Sequence, residues 1–214
     1  RRSSVAALVL SPQTRRCARG ACRSFYSWAR TTGRVTADPA LDLPKVRAPQ
    51  GMPRPIPRHE FAAALARADH RTRLMLCLGR FAGLRRAEIA GVHTDHVDAG
   101  TLRVLGKGAK VRHVPLHPEI ARPLGLLPPG WAFPSATYPG RPLTPAHVGV
   151  ILRRVLPPGW TPHTLRHRAG SDWFAVERDL IAVQRLLGHT SLDTTRIYVD
   201  VVGDSMRRAV LGVA

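Results

Sequence analysis

Two spacings of apolar residues run along the chain, and they predict two kinds of secondary structure. Over most of the sequence, apolar residues recur at every third or fourth position, which is the period of an amphipathic helix. Between residues 101 and 116 they alternate along the chain instead, which is the period of a strand. The helical pattern covers residues 11–33, 58–69, 71–83, 83–98, 143–156, 161–175, 178–189, 190–201 and 204–214.

The alternating stretch predicts a β-hairpin whose turn is "GKGAK", residues 106–110. Leu102 and Val104 fall on one face of its first strand, and Val111, Val114 and Leu116 accompany the return. The expected fold class is therefore mostly α with one small β-hairpin or sheet, an α+β arrangement.

Residues typical of helix ends support these boundaries. Two helices are each predicted to begin with a Thr-Pro pair, at 144–145 and 161–162, with threonine as the N-cap and proline in the first turn. Asp179 is the expected N-cap of a later helix, and Gly188 is expected to end it.

A proline-rich stretch, residues 44–57, separates two compositional regimes. Its five prolines hold the backbone extended, which predicts a linker. A partial helical segment is expected before it, at 1–43, and a catalytic domain after it, at 58–214. The linker also carries three cations placed to contact phosphate groups: Lys45, Arg47 and Arg54.

The charge of the chain indicates a polyanionic partner. Its 214 residues include 33 Lys+Arg against 14 Asp+Glu, which gives a net charge of +19 and a pI near 11.6. Nucleic acid is the first candidate. The alternative is a solvated basic surface, or the arginine bias of a GC-rich gene.

The three cysteines form no Cys-x-x-Cys pair, so neither disulfides nor zinc is predicted. No membrane span or signal peptide is predicted, and a cytoplasmic location is expected.

The stretch "TPHTLRHRAG", residues 161–170, concentrates basic groups in the first turns of a helix. His163 and Arg166 are three positions apart, so they project from one face near the helix N-terminus, where anions bind. An arginine fork matches phosphate oxygens, and a histidine titrates near neutrality. The alternative is a basic helix that lies along a DNA backbone without doing chemistry. The His163–His167 spacing also suits a metal pair, but no glutamate follows His163 and no third ligand is evident.

Three further elements are individually weak. Arg85 and Glu88 in "GLRRAEIAGV" are i,i+3 partners, either a guanidinium held for a phosphate or an ordinary surface ion pair. The neighbouring Arg86 is expected to point elsewhere as a surface charge. Lys107, in the hairpin turn, either delivers a proton to a leaving oxygen or is an exposed turn residue with no part in the chemistry. Tyr198 follows "LGH", which ends at His189, and is either packing or a nucleophile toward a phosphodiester.

The order of these elements, GLR-x-x-E, GKG, H-x-L-R, LGH and then tyrosine, resembles the tyrosine recombinase (phage integrase) family over residues 58–214. The resemblance implies a catalytic set with Glu88 as its supporting acid: Arg85, Lys107, His163, Arg166, His189 and Tyr198. It also implies attack by Tyr198 to give a 3′-phosphotyrosyl intermediate in double-stranded DNA, with no cofactor or metal. Assembly of a tetramer on DNA follows from the same resemblance.

Seven cations are expected to bind DNA outside the reactive set: Lys45, Arg47, Arg54, Arg86, Lys110, Arg153 and Arg154.

The chain departs from the pattern of the family in two places. The N-terminal segment resembles only the end of a core-binding domain, and "AVERDL" stands where the family commonly has a glycine turn. The alternative interpretation is a truncated integrase remnant that acts only as a DNA-binding protein. The apolar stripe of residues 201–214 is expected to pack on its own domain or on a neighbouring protomer.

Overall fold

The computed structural model describes residues 10–47 and 53–188, and its contacts divide the chain into two compact units, one up to residue 52 and one from residue 53. In the first unit, helix α1 spans Pro12–Thr31. It begins where Ser11 accepts a hydrogen bond from the backbone N–H of Thr14, and Gly33 beyond its end takes a φ of 69°. The helix predicted over residues 11–33 is confirmed.

Helix α1 is exposed along most of its length, and Ala29 is its buried residue. Arg19 and Arg23 donate hydrogen bonds to the carbonyl oxygens of Leu43 and Leu41, which tie the following segment to the helix. Residues 43–47 and 53–57 contain neither helix nor strand. The division of the sequence into a segment, a linker and a catalytic domain remains a prediction.

The second unit contains seven α-helices and two short 3-10 turns among the described residues. The helices are α2 Arg58–Ala66, α3 His70–Phe81, α4 Arg86–Ala90, α5 Pro118–Gly125, α6 Pro145–Val155, α7 Pro162–Glu177 and α8 Leu180–Leu187. The 3-10 turns are Thr94–His96 and Lys107–Ala109. None of the described helices combines the length and the apolarity needed to cross a membrane.

A three-stranded antiparallel sheet lies beside these helices, in the order β1 Val97–Asp98, β2 Thr101–Leu105 and β3 Val111–Pro115. The predicted hairpin is confirmed as β2 and β3. In its register, Leu102 lies opposite Val114, and Val104 lies opposite Arg112. Leu102, Val104 and Val114 are buried, so this face covers the core, and Arg112 lies on the same face.

Helix α3 is the centre of the core. Its residues Met75, Leu76 and Leu78 are fully buried. Gly79 lets α7 come close, because a Cβ at this position would lie 3.1 Å from Cδ1 of Leu165. Close packing of α3 on α7 sets where the first turns of α7 lie relative to the residues that follow α3.

Two differences from the sequence prediction concern short elements. The helical pattern over residues 83–98 is wrong beyond Ala90: α4 ends there, and a 3-10 turn and β1 follow. Helix α5 was not predicted, because Pro118 and Pro123 in eight residues argue against a helix. Pro118 lies in the first turn, where its missing N–H costs no hydrogen bond.

The predicted helix ends are confirmed. Thr144 accepts a hydrogen bond from the backbone N–H of His147, and Thr161 is the N-cap of α7, where its backbone N–H donates to Oγ1 of Thr164. Asp179 accepts from two backbone N–H groups at the start of α8, and Gly188 ends that helix with a φ of 63°. Arg178, which caps the end of α7, takes a φ of 57°, a conformation that favours glycine.

Candidate active site

The first turn of α7 and the start of α4 line one open cleft of about 240 Å³. Its walls carry four basic side chains and two apolar ones: Arg85, Arg86, His163, Arg166, Leu84 and Pro162. The i,i+3 spacing of α7 and the segment after α3 therefore bring Arg85, His163 and Arg166 to the same place. Such a concentration of cations in one cleft suits an anionic ligand.

Arg166 is a buried cation whose position is fixed by backbone oxygens. It is 1% exposed, and its Nη1 and Nη2 donate to the carbonyl oxygens of Gly83 (2.6 Å) and Leu187 (2.5 Å). Its Nη1 also lies 3.8 Å from Oε2 of Glu88. The guanidinium thus ties the end of α3 to the end of α8, and it cannot be reoriented without breaking these bonds.

Glu88 accepts hydrogen bonds from two arginines. Its Oε1 accepts from Nη1 of Arg85 at 2.9 Å and from Nη1 of Arg112 at 2.8 Å. Its Oε2 accepts from the backbone N–H of Arg85 at 2.7 Å and from Nη2 of Arg112 at 2.8 Å. Burial alone raises the pKa of Glu88, but the bonds from Arg112 and Arg85 outweigh it and lower the pKa to about 2. The carboxylate is therefore ionised at neutral pH.

Arg85 differs from Arg166 in exposure. Its side chain is 37% exposed, whereas that of Arg166 is 2% exposed. Its Nη1 is held by Glu88, and its Nη2 lies 3.5 Å from the carbonyl oxygen of Gly188. The i,i+3 pair predicted from the sequence is confirmed, and its acid is buried, so it is not the ordinary surface ion pair.

Three arginines converge on the last carbonyl groups around the C-terminus of α8. Arg112 donates from Nε to Leu186 at 2.8 Å, Arg166 donates to Leu187, and Arg85 approaches Gly188. The final carbonyls of a helix lack intrahelical partners and carry partial negative charge, so cations stabilise them. One end of α8 is thereby joined to α7, β3 and the segment before α4.

His163 and His167 form a ring pair on α7, with centroids 4.4 Å apart at an interplanar angle of 68°. Desolvation lowers the pKa of His163 even though the residue is exposed at the cleft, and the charges of Arg166, Arg85 and Arg86 lower it further. Burial, His163 and Arg166 together lower the pKa of His167 to about 4. Both imidazoles are therefore neutral at pH 7.

Within residues 10–47 and 53–188, no group of three or more metal-binding side chains is assembled.

Comparison with known proteins identifies the family to which this chain belongs. The model of the phage integrase family matches residues 58–203. The chain belongs to the phage integrase family. It is 34% identical over 207 residues to the tyrosine recombinase XerC of Rhodospirillum centenum, covering 84% of this chain and 59% of that protein. It is 32% identical over 230 residues to the tyrosine recombinase XerD of Caulobacter vibrioides, covering 94% and 75%.

Solved structures agree on the fold. The integrase of mycobacterium phage Brujita is 29% identical, with a TM-score of 0.59 over 95% of this chain and 72% of that one. XerH recombinase bound to the palindromic difH substrate gives a TM-score of 0.72 at 22% identity, over 94% and 67%. The chain spans less than two thirds of the XerC relatives from R. centenum (59%) and Xylella fastidiosa (66%).

Arg86 is an exposed charge, as predicted, but it does not point away from the site. It lines the same cleft as Arg85 and lies against Gly149, where a Cβ would come within 2.8 Å of its Nη1. Arg153 joins Arg86 and His163 in an adjoining cleft of about 220 Å³. The short α4 helix explains the error, because Arg86 stands at its first turn and faces α6.

The other predicted DNA-binding residues lie in several places. Lys110 and Arg154 are exposed at the hairpin and on α6, and Arg54 lies 4.8 Å over the Trp160 ring. Lys45 and Arg47 are exposed in the first unit. The backbone of Lys107 begins the 3-10 turn between β2 and β3. His189, Tyr198 and the predicted tail stripe lie outside the described residues.

Arg112 is a site residue that was not predicted from the sequence. A signal was available, since position 112 shares the inward face of the hairpin with apolar residues. An arginine on an inward face needs a buried acid, and Glu88 is that acid. Identifying the pair required the register of β2 and β3 and the position of α4 behind them.

Proposed function

We propose that this protein is a tyrosine-type site-specific recombinase that cuts and rejoins double-stranded DNA through a 3′-phosphotyrosyl intermediate. The observation that carries the proposal is the convergence of Arg85, His163 and Arg166 on one cleft, with Glu88 behind them. This is the arrangement required to hold a dianionic, five-coordinate phosphorus, because preorganised donors stabilise the charge that builds up in the transition state.

In the proposed reaction, Oη of Tyr198 attacks the scissile phosphate, and the bond to the 5′-oxygen breaks. Arg85 and Arg166 neutralise the non-bridging oxygens. Arg166 supports this role through its fixed orientation, and Arg85 through its exposed side chain. Lys107 delivers a proton to the departing 5′-oxygen. The 5′-hydroxyl of a partner strand then attacks the phosphotyrosine and regenerates Tyr198.

His163 and His189 are proposed to hydrogen-bond the phosphate and to manage the proton of the tyrosine. A lowered pKa supports this for His163, because a neutral imidazole can accept a proton at pH 7. The energy of the broken phosphodiester is kept in the ester to Tyr198. The reaction therefore needs no nucleotide, cofactor or metal ion.

The DNA is proposed to contact basic residues of both units. In the second unit, Arg86 and Arg153 line the cleft or its neighbour, and Arg54, Lys110 and Arg154 are exposed. In the first unit, Lys45 and Arg47 are exposed. Exchange between two duplexes requires several active sites, so we propose assembly of a tetramer on DNA. Residues 58–214 would form the catalytic domain, 44–57 the linker and 1–43 part of a core-binding domain, all acting in the cytoplasm.

The test is a suicide substrate, a nicked duplex that traps the covalent intermediate. Overlapping nicked duplexes that tile the DNA flanking the gene are incubated with the protein, and denaturing gels report adducts. The protein should form an adduct in excess EDTA and without nucleotide, and Tyr198→Phe should bind DNA but form none. Binding by the unmodified protein without any adduct would favour the alternative, a DNA-binding remnant. A strict requirement for magnesium would indicate a metal nuclease instead.

A further inference from the structure

All three nitrogens of the Arg112 guanidinium are committed to protein partners. Nη1 and Nη2 donate to the two oxygens of Glu88, each at 2.8 Å, and Nε donates to the carbonyl oxygen of Leu186 at 2.8 Å. Its side chain is 10% exposed. Because this guanidinium is nearly buried and bonds protein groups through all three nitrogens, it is suited to holding those groups in place.

The bidentate contact fixes the plane of the Glu88 carboxylate, and that plane fixes Arg85. Each oxygen that accepts from Arg112 also accepts from Arg85, Oε1 from its Nη1 and Oε2 from its backbone N–H. Arg112 therefore acts on the exposed cation of the cleft through Glu88. Without Arg112, the carboxylate could rotate about its terminal torsion and carry the Arg85 guanidinium with it.

Arg112 also lies between two glycines that precede predicted reactive residues. A Cβ at Gly188, the residue before His189, would lie 3.2 Å from Cδ and Nη1 of Arg112. A Cβ at Gly106, the residue before Lys107, would lie 3.5 Å from Nη1 of Arg112. The backbone thus passes close to the Arg112 side chain just before Lys107 and again just before His189.

On the basis of the proposed function, we propose that Arg112 is a positioning residue for DNA cleavage. It orients Arg85 through Glu88, and it holds the hairpin turn and the end of α8 at a fixed separation. It contributes to the chemical step without contacting the DNA. This explains why a third arginine is present around one carboxylate when the phosphate-binding role needs two.

The test compares Arg112→Lys and Arg112→Met with Arg103→Met in the full chain. Arg103 is the matched control, because it lies on the same hairpin but on the exposed face of β2. The substrate is the nicked duplex on which the unmodified protein forms an adduct. Three quantities are measured: the single-turnover rate at saturating DNA, the dissociation constant by gel shift, and the melting temperature.

Both Arg112 variants should lose on the order of 100-fold in the single-turnover rate, because a displaced phosphate-binding group costs about that much. Their affinity for DNA should stay within about twofold, which separates an effect on chemistry from one on binding. Arg112→Lys keeps the charge but cannot donate to Glu88 and Leu186 as a planar fork. Arg103→Met should cleave at the unmodified rate. If Arg112→Met does not fold, Arg112→Lys decides the question.

A change in pH profile would distinguish positioning from general stabilisation. Glu88 is faced by Arg85, Arg112 and Arg166, so without Arg112 its pKa should rise, and cleavage by Arg112→Met should decline in mild acid sooner than that of the unmodified protein. Cleavage by Arg112→Lys within about twofold of the unmodified rate would overturn the proposal. An unmodified protein that forms no adduct would overturn the proposed function itself, and this proposal with it.

Discussion

Helices α1 and α7 both carry arginines, yet they use them in opposite ways. Five arginines lie on α1, and the only residue it buries is Ala29. Helix α7 carries two arginines and buries one of them, Arg166, together with the two residues before it, Thr164 and Leu165. The arginines of α1 that have partners bond single carbonyl groups, whereas Arg166 bonds two backbone oxygens from different elements.

The difference shows why net charge describes a partner but not a site. Exposed arginines raise the attraction to any polyanion and are screened by salt. A buried arginine loses its hydration and must be repaid by fixed partners, so its presence indicates a geometric requirement. We therefore expect substitutions on α7 and around Glu88 to change chemistry and stability, and substitutions on α1 to change neither strongly.

The largest effect should come from Arg166→Ala. Losing one preorganised donor to the phosphate should slow adduct formation by on the order of 10³-fold. The protein should also be less stable by about 2 kcal/mol, because two buried carbonyl groups lose their donor. Single-turnover cleavage and urea unfolding measure the two effects. Arg16→Ala, at an exposed position of α1, is the control. Cleavage by Arg166→Ala at the unmodified rate would show that the site is wrongly placed.

Glu88→Gln should have the next largest effect, on stability. The amide keeps the size of the side chain but leaves Arg85, Arg112 and Arg166 without a buried counter-charge. The free energy of unfolding should fall by about 3 kcal/mol, the usual cost of breaking a buried ion pair. Glu60→Gln, on the surface of α2, should change it by about 0.5 kcal/mol or less. Equal losses in the two variants, measured by urea unfolding, would contradict this account.

The His163–His167 pair should make the second unit sensitive to mild acid. Because the pKa of His167 is about 4 when folded and 6.5 ordinarily, the unfolded chain binds the extra proton first. Stability should therefore fall as the pH is lowered from about 6.5 to about 4, by about 3 kcal/mol from this group. His167→Gln should flatten the slope in that window, and His59→Gln on α2 should not. Glu88 contributes at lower pH, because its pKa of about 2 is depressed from 4.5.

The smallest effect concerns the ends of the two helices. Gly33 beyond α1 and Arg178 at the end of α7 both adopt left-handed backbone, with φ of 69° and 57°. Arg178→Gly should stabilise the protein by about 1 kcal/mol by removing this strain. Gly33→Ala should cost a similar amount locally, because a residue with a Cβ is strained at a φ of 69°. No clash adds to this cost, since the Cβ would meet nothing within 4 Å. Melting curves and proteolysis of α1 measure the two changes. A destabilised Arg178→Gly would mean that the arginine side chain contributes more than its backbone costs.

Local features were predictable because their signals lie within a few residues. The Thr-Pro starts of α6 and α7, the end of α8 at Gly188 and the hairpin all followed from spacing and caps. The i,i+3 spacing also gave the proximity of His163 and Arg166. Within the site, what failed depended on contacts distant in sequence. Arg112 pairs with Glu88 across 24 positions, and Arg86 could be placed only once α6 was seen to face α4.

The approach of α3 and α7 at Gly79 carries an evolutionary consequence. A side chain at residue 79 would press on Leu165, the neighbour of Arg166, at 3.1–3.3 Å, and would push the two helices apart. We therefore expect the two positions to vary together, with a larger residue at 79 accompanied by a smaller one at 165. Relatives that carry alanine or serine at position 79 should hold a shorter side chain at position 165. The pair of positions 79 and 165 thus sets the spacing of α3 and α7, and this spacing keeps the carbonyl group of Gly83 within reach of the Arg166 guanidinium.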